Sequence, residues 1–437
     1  MKSPDCRARR ILFAIFLSIV MLILSTDLLV ASPDSPAVAT MIFLRISPST
    51  QANAMGHTYG NTFHNSPMAS IYHPASLGFF ARENQFGSSI YTKKIDWLPG
   101  FGLADLWYDA SSFAFGINLR DHTDIPVSVG LGFHEVFLNL GETEVRDENG
   151  NLNGDTYTTW ERSEGTTIAV AFDYFVRVSI GHTWKNAESH LVDPGPGSSM
   201  RGAFAETDAT DYGFIVEVPL VSLLENFDSN LKEPLPNTEF YFDPGFFYSK
   251  SNIGGKVSYI DRYQADSIPR TVSIGINLKT GLSYLTESDE IKLLGFNWSR
   301  ELDEMLVKKN RSDGSTAYKR GLQDIKFFEN MILGKANENI DAFKQGFEVN
   351  FADCFFLRHG RYEDIEGRVR FTSKGWGMDY MQLVKIPLKM FFHEENKFML
   401  LLKNLNIEQH HAEYEIEAGH PLEGTEFNSY VIRFRLN

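Results

Sequence analysis

FAFGINLRDHTDIPVSVGLGFH, residues 113–134, holds two runs of strict alternation separated by a polar turn. In the first, Phe113, Phe115, Ile117 and Leu119 alternate with Ala114, Gly116, Asn118 and Arg120. In the second, Val127, Val129, Leu131 and Phe133 alternate with Ser128, Gly130, Gly132 and His134. Successive side chains of a strand point to opposite faces, so a period of two predicts β-structure. The same beat recurs where Val272, Ile274, Ile276 and Leu278 alternate with Thr271, Ser273, Gly275 and Asn277. It returns at the chain end, with Tyr430, Ile432, Phe434 and Leu436 against Val431, Arg433, Arg435 and Asn437. One face is bulky and apolar, while the other is small and weakly charged. A soluble sandwich would bury the apolar face and cover the other with Lys and Glu. The small face instead suits a crowded or hydrated interior, with the apolar face turned to lipid. Backbone groups in lipid need internal partners, so such strands must close. The expected fold is all-β: an antiparallel transmembrane β-barrel.

Composition agrees. Phe at 35 and Tyr at 17 are high for 437 residues, as a lipid-facing surface with aromatic girdles requires. Further strands are expected near residues 85–95, 102–109, 166–174, 177–184, 211–218, 240–250, 291–300, 346–357, 367–371, 376–384 and 398–405. The run ENGNLNGD at 148–155 reads as a hairpin tip. Its neighbours Asp147, Asn149, Asn151 and Asn153 raise a calcium loop, but the spacing fails. A start at Asp147 puts Leu152 where the turn glycine belongs, and a start at Asn149 puts Trp160 at the closing carboxylate. Two stretches lack the strand beat. Residues 185–209, rich in Gly, Pro and Ser, suggest a long exposed loop. Residues 302–339 are charged and partly helical in spacing, with Leu322, Ile325, Phe328, Met331 and Ile332 forming a stripe. That stripe predicts a short helix on the barrel rim.

The amino terminus has a basic head, Lys2, Arg7, Arg9 and Arg10, then an uncharged apolar run from Ile11 to Thr26. This is the pattern of a signal peptide, and the run is short for a spanning helix. Residues 1–32 are assigned to it. Small-x-small triplets Ala37-Val38-Ala39 and Ala52-Asn53-Ala54 leave a cut as late as residue 54 open. Removing 1–32 takes four basic and two acidic residues, so the formal charge moves from −15 to −17. Such an acidic chain is a poor ligand for nucleic-acid phosphates. Of two cysteines, only Cys354 lies beyond the signal, which excludes an internal disulfide framework.

A resemblance emerges downstream. Met55-Gly56, then Tyr72-His73-Pro74-Ala75-Ser76-Leu77, resembles the amino-terminal signature of the PorV/PorQ group of FadL-like outer-membrane barrels, with His73 where Asn is usual and Ser76 where Gly is usual. Trp97-Leu98-Pro99-Gly100 is similar to that group's turn after the first strand. A third match runs from Gly346-Phe347-Glu348 through Phe356-Leu357-Arg358-His359-Gly360-Arg361-Tyr362 to Gly375-Trp376-Gly377-Met378-Asp379-Tyr380, with Arg361 inserted before the Tyr. The resemblance implies about 14 strands, both termini in the periplasm, and a short amino-terminal plug in the lumen. It assigns residues 52–80 to the plug, carried by Met55, Gly56, Tyr72, His73, Pro74, Ala75 and Leu77, and 81–437 to the barrel. For His73 a turn or lumen hydrogen bond is favoured over a ligand role.

Catalytic motifs are missing: no G-x-S-x-G, H-E-x-x-H, Walker loop or C-x-x-C occurs. No cofactor is implied. His410-His411 with Glu413 and Glu415 has metal-capable side chains without a zinc spacing. Glu348, Asp353, Arg358 and Arg361 are candidate lumen charge pairs, structural by default. The expected setting is outer-membrane lipid. By the resemblance, the expected role is PorV-like participation in type IX protein secretion, with other secretion proteins and secreted cargo as partners. The alternative is FadL-like transport of a long-chain hydrophobic ligand.

Overall fold

The computed structural model describes residues 39–435 apart from 61–64, 104, 147–148, 195–200, 226–236, 261–264, 286–289, 310–314, 320–325, 336–339, 365–366, 392–401 and 403. The signal peptide assigned to 1–32 therefore lies outside the described residues. Fourteen long antiparallel strands follow in chain order: β1 Phe86–Tyr91, β2 Trp107–Asn118, β3 Val127–Arg146, β4 Leu152–Asp173, β5 Arg177–Pro194, β6 Ala203–Glu217 and β7 Thr238–Gly254. The second half comprises β8 Thr271–Leu285, β9 Glu290–Met305, β10 Ala342–Phe351, β11 Phe355–Asp364, β12 Val369–Asp379, β13 Leu405–Glu415 and β14 Glu426–Phe434. Each pairs with its sequence neighbours, and β1 pairs with both β2 and β14. Phe86 faces Phe115 on one side and Phe434 on the other. The sheet thus closes, leaving no exposed edge. With an even strand number, β1 begins and β14 ends at one rim, here called the terminal rim; the opposite rim is the far rim.

The two-residue beat sorts the faces. Outside stand Phe113, Phe115, Ile117, Leu131, Phe133, Ile168, Phe172, Ile180, Leu294, Phe296, Leu357 and Ile432, all exposed. Inside stand Ala114, Ser128, Ala169, Ser179 and Ser249, all buried. No helix among the described residues is long and apolar enough to cross a membrane, so the strands are the crossing elements. Exposed apolar side chains in this density are stable only against hydrocarbon.

Two expectations are corrected. Residues 185–209 are not a long loop: β5 runs on to Pro194 and β6 starts at Ala203. Buried Ala187 and Ser189 still alternate with Asn186, Glu188 and His190. The strand period persists there, but the outward residues are polar, because this part of the wall stands beyond the lipid belt. Among the described residues of 302–339, helix is confined to one turn. Leu302 to Met305 complete β9, two short strands Val307–Lys309 and Thr316–Tyr318 pair, and one π-helical turn spans Phe327–Ile332. Met331 and Phe327 of that turn lie over Ile274, Leu302 and Phe343 on the outer wall. Leu322 and Ile325 lie outside the described residues.

Candidate functional site: a filled lumen and a thin wall

Residues 39–60 and 65–84 occupy the lumen, reaching further towards the amino terminus than the 52–80 expected from sequence. Ser49 caps the short helix Thr50–Asn53 by accepting from the Ala52 N–H, and Ser66 caps the 3₁₀ turn Pro67–Ile71. A second helix, Ser76–Glu83, buries Leu77, Phe79 and Phe80 against the wall. Its Gly78 carbonyl accepts from Ser128 Oγ at 2.9 Å, and its Ala75 carbonyl from Ser179 Oγ at 2.5 Å.

The wall is shaped to receive this segment. A side chain at Gly360 would sit 1.9 Å from Gly56 N, and one at Gly346 would sit 2.5 Å from Met55 O. Gly181 faces Pro74, Gly130 faces Leu77, and Gly116 faces Ala81 with the same intolerance. Gly56 itself adopts φ +63°, a left-handed turn that favours glycine. The inward glycines of the alternating strands are therefore seats for the plug backbone.

Met55 and Leu77 are fully buried, and Tyr72 donates to the Leu44 and Ile46 carbonyls at 2.9 and 2.5 Å. His73 is buried against Phe247, ring centroids 5.8 Å apart and perpendicular, with neither ring nitrogen hydrogen-bonded. It packs, and its backbone takes the turn expected of it, the His73 carbonyl accepting from the Ser76 N–H at 3.0 Å.

Charges also tie plug to wall. Glu301 accepts the Tyr59 and Gly60 N–H groups at 2.7 and 3.2 Å, and Lys344 bridges Glu301 and Asp303 at 2.9 and 2.7 Å. Arg358 donates to Glu348 at 2.6 Å and lies 3.1 Å from His410, which meets Gln51 of the plug at 3.1 Å. Glu348 and Arg358 thus form an inward pair. Asp353 sits instead in the tight turn 352–354, 3.3 Å from Lys292. Arg361 is corrected outright: three residues from inward Arg358, it must point outward, where it reaches Glu363 at 2.5 Å and is 54% exposed. The same parity separates His410, which faces the lumen, from His411, which meets Asn428 at 3.0 Å on the other face. The Glu301–Lys344–Asp303 triad was missed by sequence reasoning. Its signal is the beat Lys344, Gly346, Glu348, Asn350, whose parity places all four inside.

Below the plug, towards the terminal rim, a polar cavity of about 340 Å³ is lined by Lys279, Lys292, Asn297, Glu348, Arg358 and Arg433 among others. On the outer face of β2–β6 lies a larger hollow of about 750 Å³. Phe113, Phe133, Thr166 and Trp184 line its membrane side, and Glu135 and Glu164 its upper side. Behind it the wall is thin. Gly165 has no side chain, and a Cβ there would fall 2.3 Å from the His134 ring. His134 and Lys185 also border a small inner cavity of about 20 Å³ with Phe43, Leu44, Ile46, Ile71 and Tyr72. That is room for about one water molecule, so the inner space is nearly filled. Lys185 is held by Asp211 at 2.9 Å.

Above the hollow, five outward rings stack across five strands. Trp107, Phe137, Trp160, His190 and Phe204 follow one another at centroid spacings of 5.1, 5.7, 3.8 and 5.5 Å, with planes within 21°. Lys94 closes the row, its ammonium 3.2 Å from the centre of the Trp107 ring.

No protein-family model and no curated protein matches the chain. Among solved structures it is similar to the toluene transporter TbuX of Ralstonia pickettii, at 11% identity and a TM-score of 0.40, covering 89% of this chain and 98% of that one. It is also similar to the toluene transporter TodX of Pseudomonas putida, at 12% identity and 0.39, covering 88% and 96%. A FadL homologue of Pseudomonas aeruginosa aligns at 10% identity and 0.32, covering 92% and 98%. An antiparallel sheet closed on itself, with an apolar outer belt and backbone groups paired within the wall, is the architecture of outer-membrane proteins. The chain is a fourteen-stranded β-barrel of the outer membrane, with residues 39–60 and 65–84 packed inside it.

Proposed function

We propose that the protein passes hydrophobic small molecules between the outer leaflet and its interior through the side wall. The observation that carries this is the pairing of a filled lumen with the aromatic hollow outside Gly165. An axial route is blocked by plug backbone seated on wall glycines. On the lateral route His134 and Lys185 border both the outer hollow and the inner cavity, and Gly165 adds no side chain beside them. A small apolar solute concentrates in such a hollow by leaving water, at roughly 25 cal/mol per Å² of surface buried. Displacing His134 and Tyr72 would let it continue inward. The test is uptake of toluene and of a fluorescent fatty acid by cells with and without the chain, beside a Gly165→Leu variant. The leucine side chain starts 2.3 Å from the His134 ring, displaces it and itself closes the wall there, so uptake falls to that of cells lacking the chain, with heat-modifiable mobility checking that the barrel is folded. Uptake unchanged by Gly165→Leu, or by loss of the chain, would reject the proposal.

A second reading is PorV-like: docking of secreted cargo at the cell surface in type IX secretion. Its support is the row of stacked rings on the part of β2–β6 that stands clear of the belt, with Phe204 60% exposed. Binding of a purified cargo signal domain to the wild type, lost in Trp160→Ala and Phe204→Ala together, would favour it. Intact binding in that double variant would remove its support.

A further inference from the structure

The lumen segment runs from one rim to the other. At its start, Thr40 donates its N–H to the Ser267 carbonyl at 3.0 Å, in the connection between β7 and β8. Ala39 packs with Met305 and Val307, where β9 ends. Tyr91 at the end of β1 and Tyr108 at the start of β2 donate to the Pro48 and Ile46 carbonyls at 2.5 and 3.3 Å. Every one of these anchors belongs to the far rim. At its other end the segment turns into β1 at the terminal rim, where the Gln85 N–H donates to the Phe434 carbonyl at 2.9 Å. It is a strap fastened at both rims.

Membrane position follows from the outer face. On β3 the outward apolar residues Val127, Val129, Leu131 and Phe133 occupy the stretch nearest the terminal rim; beyond them Glu135, Asn139, Glu142, Glu144 and Arg146 are polar, with Phe137 of the ring row among them. Strands β3 to β5 hold 20, 22 and 18 residues, against 10 in β10 and in β11. The far rim therefore stands well clear of the hydrocarbon, as the extracellular side of such barrels does.

We infer that the amino-terminal end of the strap is presented at the cell surface, and that the chain is processed ahead of Thr40. A cut after Ala54 would strip away Ala52, Asn53 and Ala54, all fully buried, and the Gln51–His410 contact. It would leave the charged lumen wall around His410 uncovered. A strap tied at the surface rim also cannot be withdrawn as one piece towards the periplasm. Any opening must occur by rearrangement in place.

Single cysteines in a Cys6→Ser/Cys354→Ser background test the location. Ile42→Cys probes the strap, which is 48% exposed there. Glu417→Cys marks the far rim and Asp124→Cys the terminal rim, both at exposed positions. Intact cells are treated with a maleimide-polyethylene glycol too large to cross the outer membrane, and heat-modifiable mobility confirms folding. Ile42→Cys is expected to label together with Glu417→Cys, and Asp124→Cys only after the membrane is breached. Labelling of Ile42→Cys only after breaching, or failure of Glu417→Cys to label in intact cells, overturns the inference. Amino-terminal sequencing of the unmodified mature chain tests processing without any variant. A first residue at or before Thr40 supports the inference, and one at Met55 overturns it.

Discussion

Replacing Gly360 with alanine adds one methyl group to the inner wall where the strap backbone lies directly on it. The new Cβ would lie 1.9 Å from Gly56 N and 2.2 Å from Met55 C. Both neighbours are backbone atoms, so no flexible side chain can swing aside. Reaching an ordinary contact of 3.4 Å moves the strap backbone by roughly 1.5 Å. Gly56 cannot retreat freely, because it is itself pressed against Arg361 backbone and its N–H donates to Ser373 Oγ at 3.0 Å. Overpacking of this kind costs about 1–3 kcal/mol. Loss of the Ser373 hydrogen bond adds about 1 kcal/mol. Gly360 lies in an ordinary strand conformation, so alanine introduces no backbone strain and the effect is purely one of space. Gly255→Ala is the control, since nothing lies within 4 Å of its Cβ position. Urea unfolding in lipid vesicles should show Gly360→Ala destabilised by about 2–4 kcal/mol and Gly255→Ala near neutral. Planar-bilayer recordings should show ionic conductance from the first and not from the second. A Gly360→Ala barrel as stable and as closed as the control would refute the seating of Met55-Gly56 on the wall.

Further outcomes follow from the same geometry. Lys344→Met leaves Glu301 and Asp303 buried without their cation and should cost about 3–5 kcal/mol in urea unfolding, part of it recovered when Glu301→Gln is added; an unchanged midpoint would contradict the triad. Leu131→Lys, on the lipid face, should cost about 2–4 kcal/mol, whereas Phe204→Lys, on the wall beyond the belt, should be near neutral; equal costs would erase the belt's upper boundary. Burial pushes the Cys354 thiol up to about 11, and the group is shielded in the turn 352–354. Only the thiolate reacts with maleimide, so at pH 7 roughly one thiol in ten thousand is reactive and labelling should await denaturation. Prompt labelling of the native protein would show the turn open.

The barrel was legible because its signal repeats. Phe113, Phe115 and Ile117 against Ala114, Gly116 and Asn118 already separate a lipid face from an interior, and fourteen such strands reinforce one another. The beat fades where its cause ends. At Asn186, Glu188 and His190 the outward residues meet water, so the same strand reads as a polar loop. Glycines carried a subtler message. Gly346 and Gly360 read as generic barrel residues, yet each is small because another backbone lies on it. Contacts made between Met55 and strands some three hundred residues away leave no local trace. Arg361 shows the reverse case: strand parity alone was enough to turn it outward. The hollow at Gly165 depends on the curvature of five strands, which no linear pattern records.

Hydrogen exchange of the full chain in lipid nanodiscs probes the filled interior most directly. Amides of residues 52–60 and 76–84, held by Ser49, Ser373, Glu301 and the helix Ser76–Glu83, should be protected as strongly as those in the middle of β3. Complete exchange of these amides within seconds, beside protected strands, would mean that the barrel stands empty and the strap lies elsewhere.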